Sequence, residues 1–238
     1  MGVRIAVIDS GVHAEHPHVR GVAGGVAIRE DGTLHDDYVD RLGHGTAVTA
    51  AIREKAPAAE ILAIKVFWRS LSTDIATLVH AIDEAADRGA ALINLSLGTS
   101  RMQHRELLEA AVGRACGRGR LIVAANDDAR RTVAAGMPGT RRAGPGGLGL
   151  RARRLRHRVR RRPAHALDLA LSARHPGVSR ERNVNGVSFA VANATGFVAR
   201  ALESDAAGAG PQPPTARDSS RRWSRRVPPI NRCHRVIG

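Results

Sequence analysis

The chain is poor in the residues that mark small secreted scaffolds and membrane proteins. Two cysteines, Cys116 and Cys233, occur in 238 residues; they cannot form a disulfide framework, and neither has metal-ligand spacing, so both are expected to be free thiols. No run of about 18 apolar residues is present, which excludes a transmembrane helix. With 43% hydrophobic residues, the chain is long enough for one globular domain with a substantial core.

Lysine is also scarce, so the net charge of +15 comes almost entirely from arginine. Residues 141–162 contain ten arginines and no acid, residues 217–235 contain seven arginines and one acid, and the rest is close to neutral. Such segments could neutralise phosphates, and an arginine-rich polyanion binder is therefore one alternative. The first segment has no aromatic residue for base stacking, and no reader motif accompanies it. No specific nucleic-acid partner is expected.

An export signal is also missing from the beginning of the sequence. Residues 1–8 carry one charge and a brief apolar run, without a small-residue cleavage site before Asp9. They predict a first strand rather than a signal peptide, and the expected location is the cytoplasm, with no membrane partner. The sequence does not indicate the oligomeric state.

Alternating buried strands and amphipathic helices dominate the first half of the chain. The helix after the second strand is expected to be capped by Thr73 and ended by Gly89, and residues 10–45 predict a loop. The segments are strands at 3–9, 61–67, 90–97 and 121–125, and helices at 46–55, 73–88, 103–116 and 188–202. This order predicts an α/β fold, a parallel sheet flanked by helices on both faces.

Three polar motifs lie at strand and helix ends, where such folds carry their functional residues. Asp9 ends the first strand, His44 precedes a helix, and Ser188 opens the buried helix near the end of the chain. A serine hydroxyl needs a base to become nucleophilic, and a carboxylate behind the imidazole fixes its tautomer. Each residue alone has an ordinary alternative as a turn or helix-capping residue, but the joint order Asp, His, Ser favours a catalytic triad.

Two further motifs follow strands of the same sheet. Ser96, Leu97 and Gly98 lie at the end of the third predicted strand, and Asn126 follows the fourth; ligands of parallel sheets bind at these carboxyl ends. The Asn126 amide and the N–H groups at the start of the Ser188 helix could stabilise an oxyanion. The alternative for Asn126 is a turn-forming residue.

At these residues the chain resembles the subtilisin-like serine peptidases, the subtilases. The matching strings are Val7-Ile8-Asp9-Ser10-Gly11, Gly43-His44-Gly45-Thr46, Ile93-Asn94-Leu95-Ser96-Leu97-Gly98, Val123-Ala124-Ala125-Asn126 and Gly186-Val187-Ser188-Phe189-Ala190. The resemblance implies an endopeptidase that forms an acyl-enzyme: Asp9 orients, His44 is the base, Ser188 attacks and Asn126 binds the oxyanion. It implies substrate binding at Ser96, Leu97 and Gly98, with a second substrate edge near residues 69–72.

The resemblance also implies a peptide or protein as the partner, and nothing in the sequence calls for a cofactor. Some subtilases bind calcium through loops, but the cluster Asp31, Asp36, Asp37 and Asp40 predicts a polar loop rather than a metal site.

The chain departs from the family pattern at a few residues near the predicted site and, more strongly, in the stretch 130–180 before Ser188. Val187, Ala192-Asn193 and Ala125 replace the usual Thr, Pro-His and Gly. Residues 1–204 are expected to form the peptidase domain, with 130–180 atypical, and residues 205–238 to form a disordered arginine- and proline-rich tail. The composition near 137–175 is typical of a GC-rich gene translated out of frame. An inactive, damaged relic of a subtilase is therefore the main alternative to an active enzyme.

Overall fold

The computed structural model describes residues 2–97, 101–125, 140–144, 147–148 and 186–207. The strands are β1 Arg4–Asp9, β2 Gly24–Ile28, β3 Leu34–His35, β4 Glu60–Lys65, β5 Leu92–Leu95, β6 Leu121–Ala125, β7 Thr140–Gly144 and β8 Gly147–Leu148. The α-helices are α1 His44–Lys55, α2 Ile75–Asp87, α3 Arg105–Gly117 and α4 Val187–Ala207, and a 3₁₀ turn, Met102–His104, precedes α3.

The strands form one sheet in the order β3-β2-β4-β1-β5-β6-β7-β8. Neighbours pair in parallel except for the edge hairpins β2–β3 and β7–β8. β1 lies near the centre, paired with β4 and β5, which explains its unbroken apolar run: strands covered on both faces need no polar alternation. The predicted α/β class is confirmed.

The alternation of β1 decides what each face of the sheet receives. Ile5 and Val7 belong to the core cluster formed with α1 and α4, and Ala6 and Ile8 belong to the cluster formed with α2 and α3. All four are completely buried. Because side chains alternate along a strand, Asp9 continues the Ile5–Val7 series and belongs to the face covered by α1 and α4.

The helices match the prediction with shifted ends. α1 begins at His44 rather than Thr46, and α4 continues to Ala207, beyond the predicted end at Leu202. The residue that caps α2 is Asp74, which accepts a hydrogen bond from the Thr77 N–H at 2.8 Å, so the prediction of Thr73 as the cap is wrong. Thr73 and Asp74 are adjacent, and both residue types commonly cap helices, so the sequence offered two candidates one residue apart.

Four strands lie where the pattern predicted none. β2 and β3 interrupt the predicted loop 10–45, and β7 and β8 lie in the glycine- and arginine-rich stretch. The remainder of residues 130–180, and the predicted tail from residue 208 onward, lie outside the described residues. Among the helices that the structure describes, none combines the length and apolarity of a membrane span.

Candidate active site

Asp9 and His44 meet at the carboxyl edge of the sheet. The imidazole Nδ1 of His44 lies 2.7 Å from Oδ1 of Asp9. The Asp9 side chain is 1% exposed and the His44 side chain 20% exposed, so the pair has a buried acid and an imidazole that still reaches solvent. This is the arrangement in which a carboxylate holds one tautomer of a histidine and leaves Nε2 available.

Local backbone geometry brings the two side chains together. Oδ1 of Asp9 also accepts the N–H of Ser10 at 2.7 Å, which fixes the carboxylate at the end of β1. On the other side, α1 approaches so closely that a Cβ at Gly45 would lie 2.1 Å from the carbonyl oxygen of Gly11. Only glycine permits this approach, and the glycine after His44 therefore has a steric explanation.

The surroundings raise the pKa of His44 above its usual value of 6.5. Burial acts in the opposite direction, because it disfavours the charged ring. The hydrogen bond to Asp9 and the negative charges of Asp9 and Asp40 outweigh burial. The imidazole is therefore a stronger base than a free histidine.

Ser188 lies in the first turn of α4, on the same side of the sheet as His44. The ring of its neighbour Phe189 is 6.1 Å from the His44 ring, centroid to centroid. The Ser188 hydroxyl donates a long hydrogen bond of 3.4 Å to the Ser96 carbonyl. Within the described part of the chain no hydrogen bond joins Ser188 to His44. The structure thus joins two of the three predicted residues directly and brings the third into the same region.

A buried polar chain that the sequence analysis missed connects α4 to β5. The Thr195 hydroxyl donates to Oδ1 of Asn94 at 2.9 Å, and the Asn94 amide donates to the Ser96 hydroxyl at 2.7 Å. The Ser96 hydroxyl in turn donates to the Ser188 carbonyl at 3.5 Å. Asn94 and Thr195 are completely buried. Polar residues inside two otherwise apolar runs were the available signal, because buried polar groups require partners.

The predicted substrate-binding residues are only partly within the described chain. Ser96 contacts the first turn of α4, as given above, whereas Leu97 is half-buried and packs against the core on the α2–α3 face. Gly98 and Asn126 lie outside the described residues. Arg69, Ser70 and Ser72 line an open groove of about 600 Å³ beside Trp68, at the proposed second edge.

The aspartates before His44 do not converge. Asp31 binds Thr33, Asp37 pairs with Arg41, and Asp40 accepts hydrogen bonds at the start of α1. Among the described residues no group of three His, Cys, Asp or Glu side chains could hold a metal ion.

Comparison with known proteins agrees with this geometry. The model of the subtilase family matches residues 1–143, which is more than half of the chain and includes Asp9 and His44. The chain belongs to the subtilase family. The matched range ends before Ser188, whose place in the site stays a prediction from its motif and its position on α4.

Several subtilases are similar to this one. A thermostable alkaline protease of Halalkalibacterium halodurans is 35% identical over 133 residues, covering 52% of this chain and 35% of that protein. Thermitase of Thermoactinomyces vulgaris is 34% identical over 144 residues, covering 56% and 50%. This subtilase therefore spans at most half the length of these two relatives.

The fold comparison reaches further along the chain. A cold-adapted subtilisin-like serine proteinase superimposes with a TM-score of 0.62 at 22% identity, covering 86% of this subtilase and 76% of that chain. This similarity concerns the fold and agrees with the parallel sheet described above.

Proposed function

We propose that this subtilase is a serine endopeptidase that cleaves peptide or protein substrates through Asp9, His44 and Ser188. The observation that carries the proposal is the 2.7 Å hydrogen bond between His44 and the buried Asp9. It is made on the sheet face to which α4 brings a serine in its first turn. A purely structural ion pair would not require an imidazole that still reaches solvent on the sheet face that carries Ser188.

The chemistry begins with the transfer of a proton from the Ser188 hydroxyl to Nε2 of His44. For this step the Ser188 hydroxyl must break its hydrogen bond to the Ser96 carbonyl and form one to the imidazole. The hydrogen bond to Ser96 is 3.4 Å long and therefore weak. Oγ then forms a bond to the substrate carbonyl carbon, the C–N bond breaks, and His44 returns the proton to the departing amine. Water repeats the sequence on the acyl-enzyme and releases Ser188. Throughout, the Asp9 carboxylate stabilises the imidazolium.

The start of α4 supports the oxyanion that forms on the carbonyl oxygen. N–H groups in the first turn of a helix have no intrahelical acceptor, and the helix dipole favours negative charge at that end. The N–H of Ser188 is one such donor. The side chain of Asn126 is proposed as the second, on the strength of its motif. Ser96 and the two residues after it are proposed to pair with the substrate backbone.

A fluorophosphonate probe tests the proposal on the full chain. Ser188 should attack phosphorus and displace fluoride, so the purified protein is expected to acquire a covalent label, detected by intact mass. Ser188→Ala should not be labelled, whereas Ser204→Ala, which removes an exposed serine from the far end of the same helix, should be labelled like the parent. A folded parent that stays unlabelled would identify the chain as an inactive relic.

The pH dependence of the labelling rate is a second prediction. His44 must be neutral to accept the Ser188 proton, and its pKa is raised above 6.5. Lowering the pH through that raised pKa protonates the ring, so the rate should fall with a midpoint above 6.5. A rate that stays constant from about pH 8 down to about pH 5 would contradict a role for His44 as the base.

A further inference from the structure

A second buried carboxylate, Asp40, lies in the loop before α1 and has five hydrogen-bond donors. Its Oδ1 accepts the Ser10 hydroxyl and the N–H groups of Leu42 and Gly43, each at 2.9 Å. Its Oδ2 accepts the N–H of Thr46 at 2.8 Å and the Thr46 hydroxyl at 2.7 Å. Asp40 is 7% exposed. A buried carboxylate with this many donors is fixed in place.

Three of these donors belong to the backbone around His44. Gly43, the N-cap residue of α1, has no side chain with which to cap the helix. The Asp40 carboxylate takes that role from three residues before it, by accepting the free N–H of Thr46 in the first turn. It also holds the two residues that precede His44. One carboxylate therefore fixes the backbone both before and after His44.

The Ser10 hydroxyl extends this network to the acid. It donates to Asp40 and accepts the N–H of Gly45 at 2.9 Å. The backbone N–H of Ser10 donates to Oδ1 of Asp9. Asp40 consequently contacts the strand end that carries Asp9 and the helix end that carries His44.

We propose that Asp40 is a positioning residue of this active site, which holds the end of β1 and the start of α1 in the arrangement in which His44 meets Asp9. Its effect on catalysis rests on the proposed peptidase function. Its effect on the Asp9–His44 pair does not, since that pair is defined by geometry alone. Asp40 acts through these neighbours and has no direct contact with a substrate in this proposal.

The charge of Asp40 adds to its hydrogen bonds. Burial raises the pKa of Asp40, but the hydrogen bonds from Thr46, Leu42 and Ser10 outweigh it and hold the pKa below its usual value. Asp40 is thus an anion at neutral pH, and that charge helps to raise the pKa of His44. The other charged groups that face this region are Asp9, Lys65, Asp37 and Arg41. α4 contributes the uncharged Phe189 ring.

The test compares Asp40→Asn with Asp74→Asn. Asp74 caps α2 through the same two kinds of donor, the Thr77 N–H at 2.8 Å and the Thr77 hydroxyl at 2.5 Å, and α2 lies on the opposite face of the sheet. Both variants remove a helix-capping carboxylate, so both should lose stability, Asp40→Asn more than Asp74→Asn because Asp40 has more donors. Only Asp40→Asn is expected to lower kcat, on the order of 10²-fold with KM changed by less than about 3-fold, because misplacing a catalytic group by about 1 Å has that effect.

A titration of His44 separates this proposal from the peptidase function. In the Ser188→Ala background, the His44 imidazole is followed by NMR, with His44→Gln used to assign its signal. Asp40→Asn should lower the pKa of His44, and Asp74→Asn should leave it unchanged. This readout requires no activity, so it answers the question even in a chain that no fluorophosphonate labels.

The hydroxyl of Thr46 provides a graded check. Thr46→Val should reduce kcat in the same direction as Asp40→Asn, and Thr46→Ser, which restores the donor to Asp40, should recover most of it. If Asp40→Asn changes kcat and the His44 titration no more than Asp74→Asn does, Asp40 is only a helix cap and the proposal is wrong.

Discussion

Replacing Asp9 with asparagine should lower kcat by about 10⁴-fold, the loss typical of serine peptidases that lose this carboxylate. The substitution hardly changes the shape of the side chain. An amide group facing His44 would donate to Nδ1, and the proton of the ring would then have to reside on Nε2, where it blocks acceptance of the Ser188 proton. The measurement is kcat on a chromogenic peptide.

A surface carboxylate provides the control for this variant. Asp87, the last residue of α2, pairs with Arg118, the residue after α3, and is exposed. Asp87→Asn should keep the parental kcat, because it lies away from the site and exposed ion pairs contribute little to stability. Circular dichroism of both variants should match the parent. A folded Asp9→Asn protein that loses less than about tenfold of its kcat would show that the acid does not fix the tautomer of His44.

Substitution of Gly45 by alanine should destabilise the fold by about 4 kcal/mol or more, the range of exceptional single mutations. The added Cβ would lie 2.1 Å from the Gly11 carbonyl oxygen and 3.1 Å from Cβ of Asp9. Both neighbours are fixed in buried structure and cannot move aside cheaply. Either α1 separates from the end of β1 or the strand end shifts, and urea unfolding should report the loss.

Gly113 offers a matched glycine in a helix. It lies within α3, and apart from the helix's own backbone a Cβ there would meet no neighbouring atom within 4 Å. Gly113→Ala should therefore raise stability by up to about 1 kcal/mol, the difference in helix propensity. Equal effects at the two positions would contradict the steric explanation for Gly45.

The sequence was most informative where one physical requirement dominated. The apolar run that precedes Asp9 predicted a central buried strand, and the polar residue at its end predicted the site edge. Both follow from strand geometry and from the position of ligand sites in parallel sheets. His44 was recognisable through its order with Asp9 and Ser188, because a histidine at the start of a helix also has an ordinary structural explanation.

Other parts depended on partners that are distant in sequence. β2 and β3 have weak local signals because Gly24 and Gly25 begin one of them and the other has two residues. They become strands through pairing, β2 with β4 and β3 with β2. Asp40 was predicted to be part of a polar loop. Its role depends on Ser10, thirty residues earlier, which no local pattern reveals. The role of the Thr195 hydroxyl likewise depends on its hydrogen bond to Asn94, which is distant in sequence.

The alternation of β1 has a consequence for gene-level change. Suppose that one codon is removed from β1 while the beginning of the strand keeps its position. Asp9 would then face the α2–α3 side of the sheet, among aliphatic side chains such as Ile82 and Leu78. An ionised group there would lack both water and its imidazole. A single-residue insertion or deletion in β1 should therefore prevent the Asp9–His44 pair from forming and destabilise the fold.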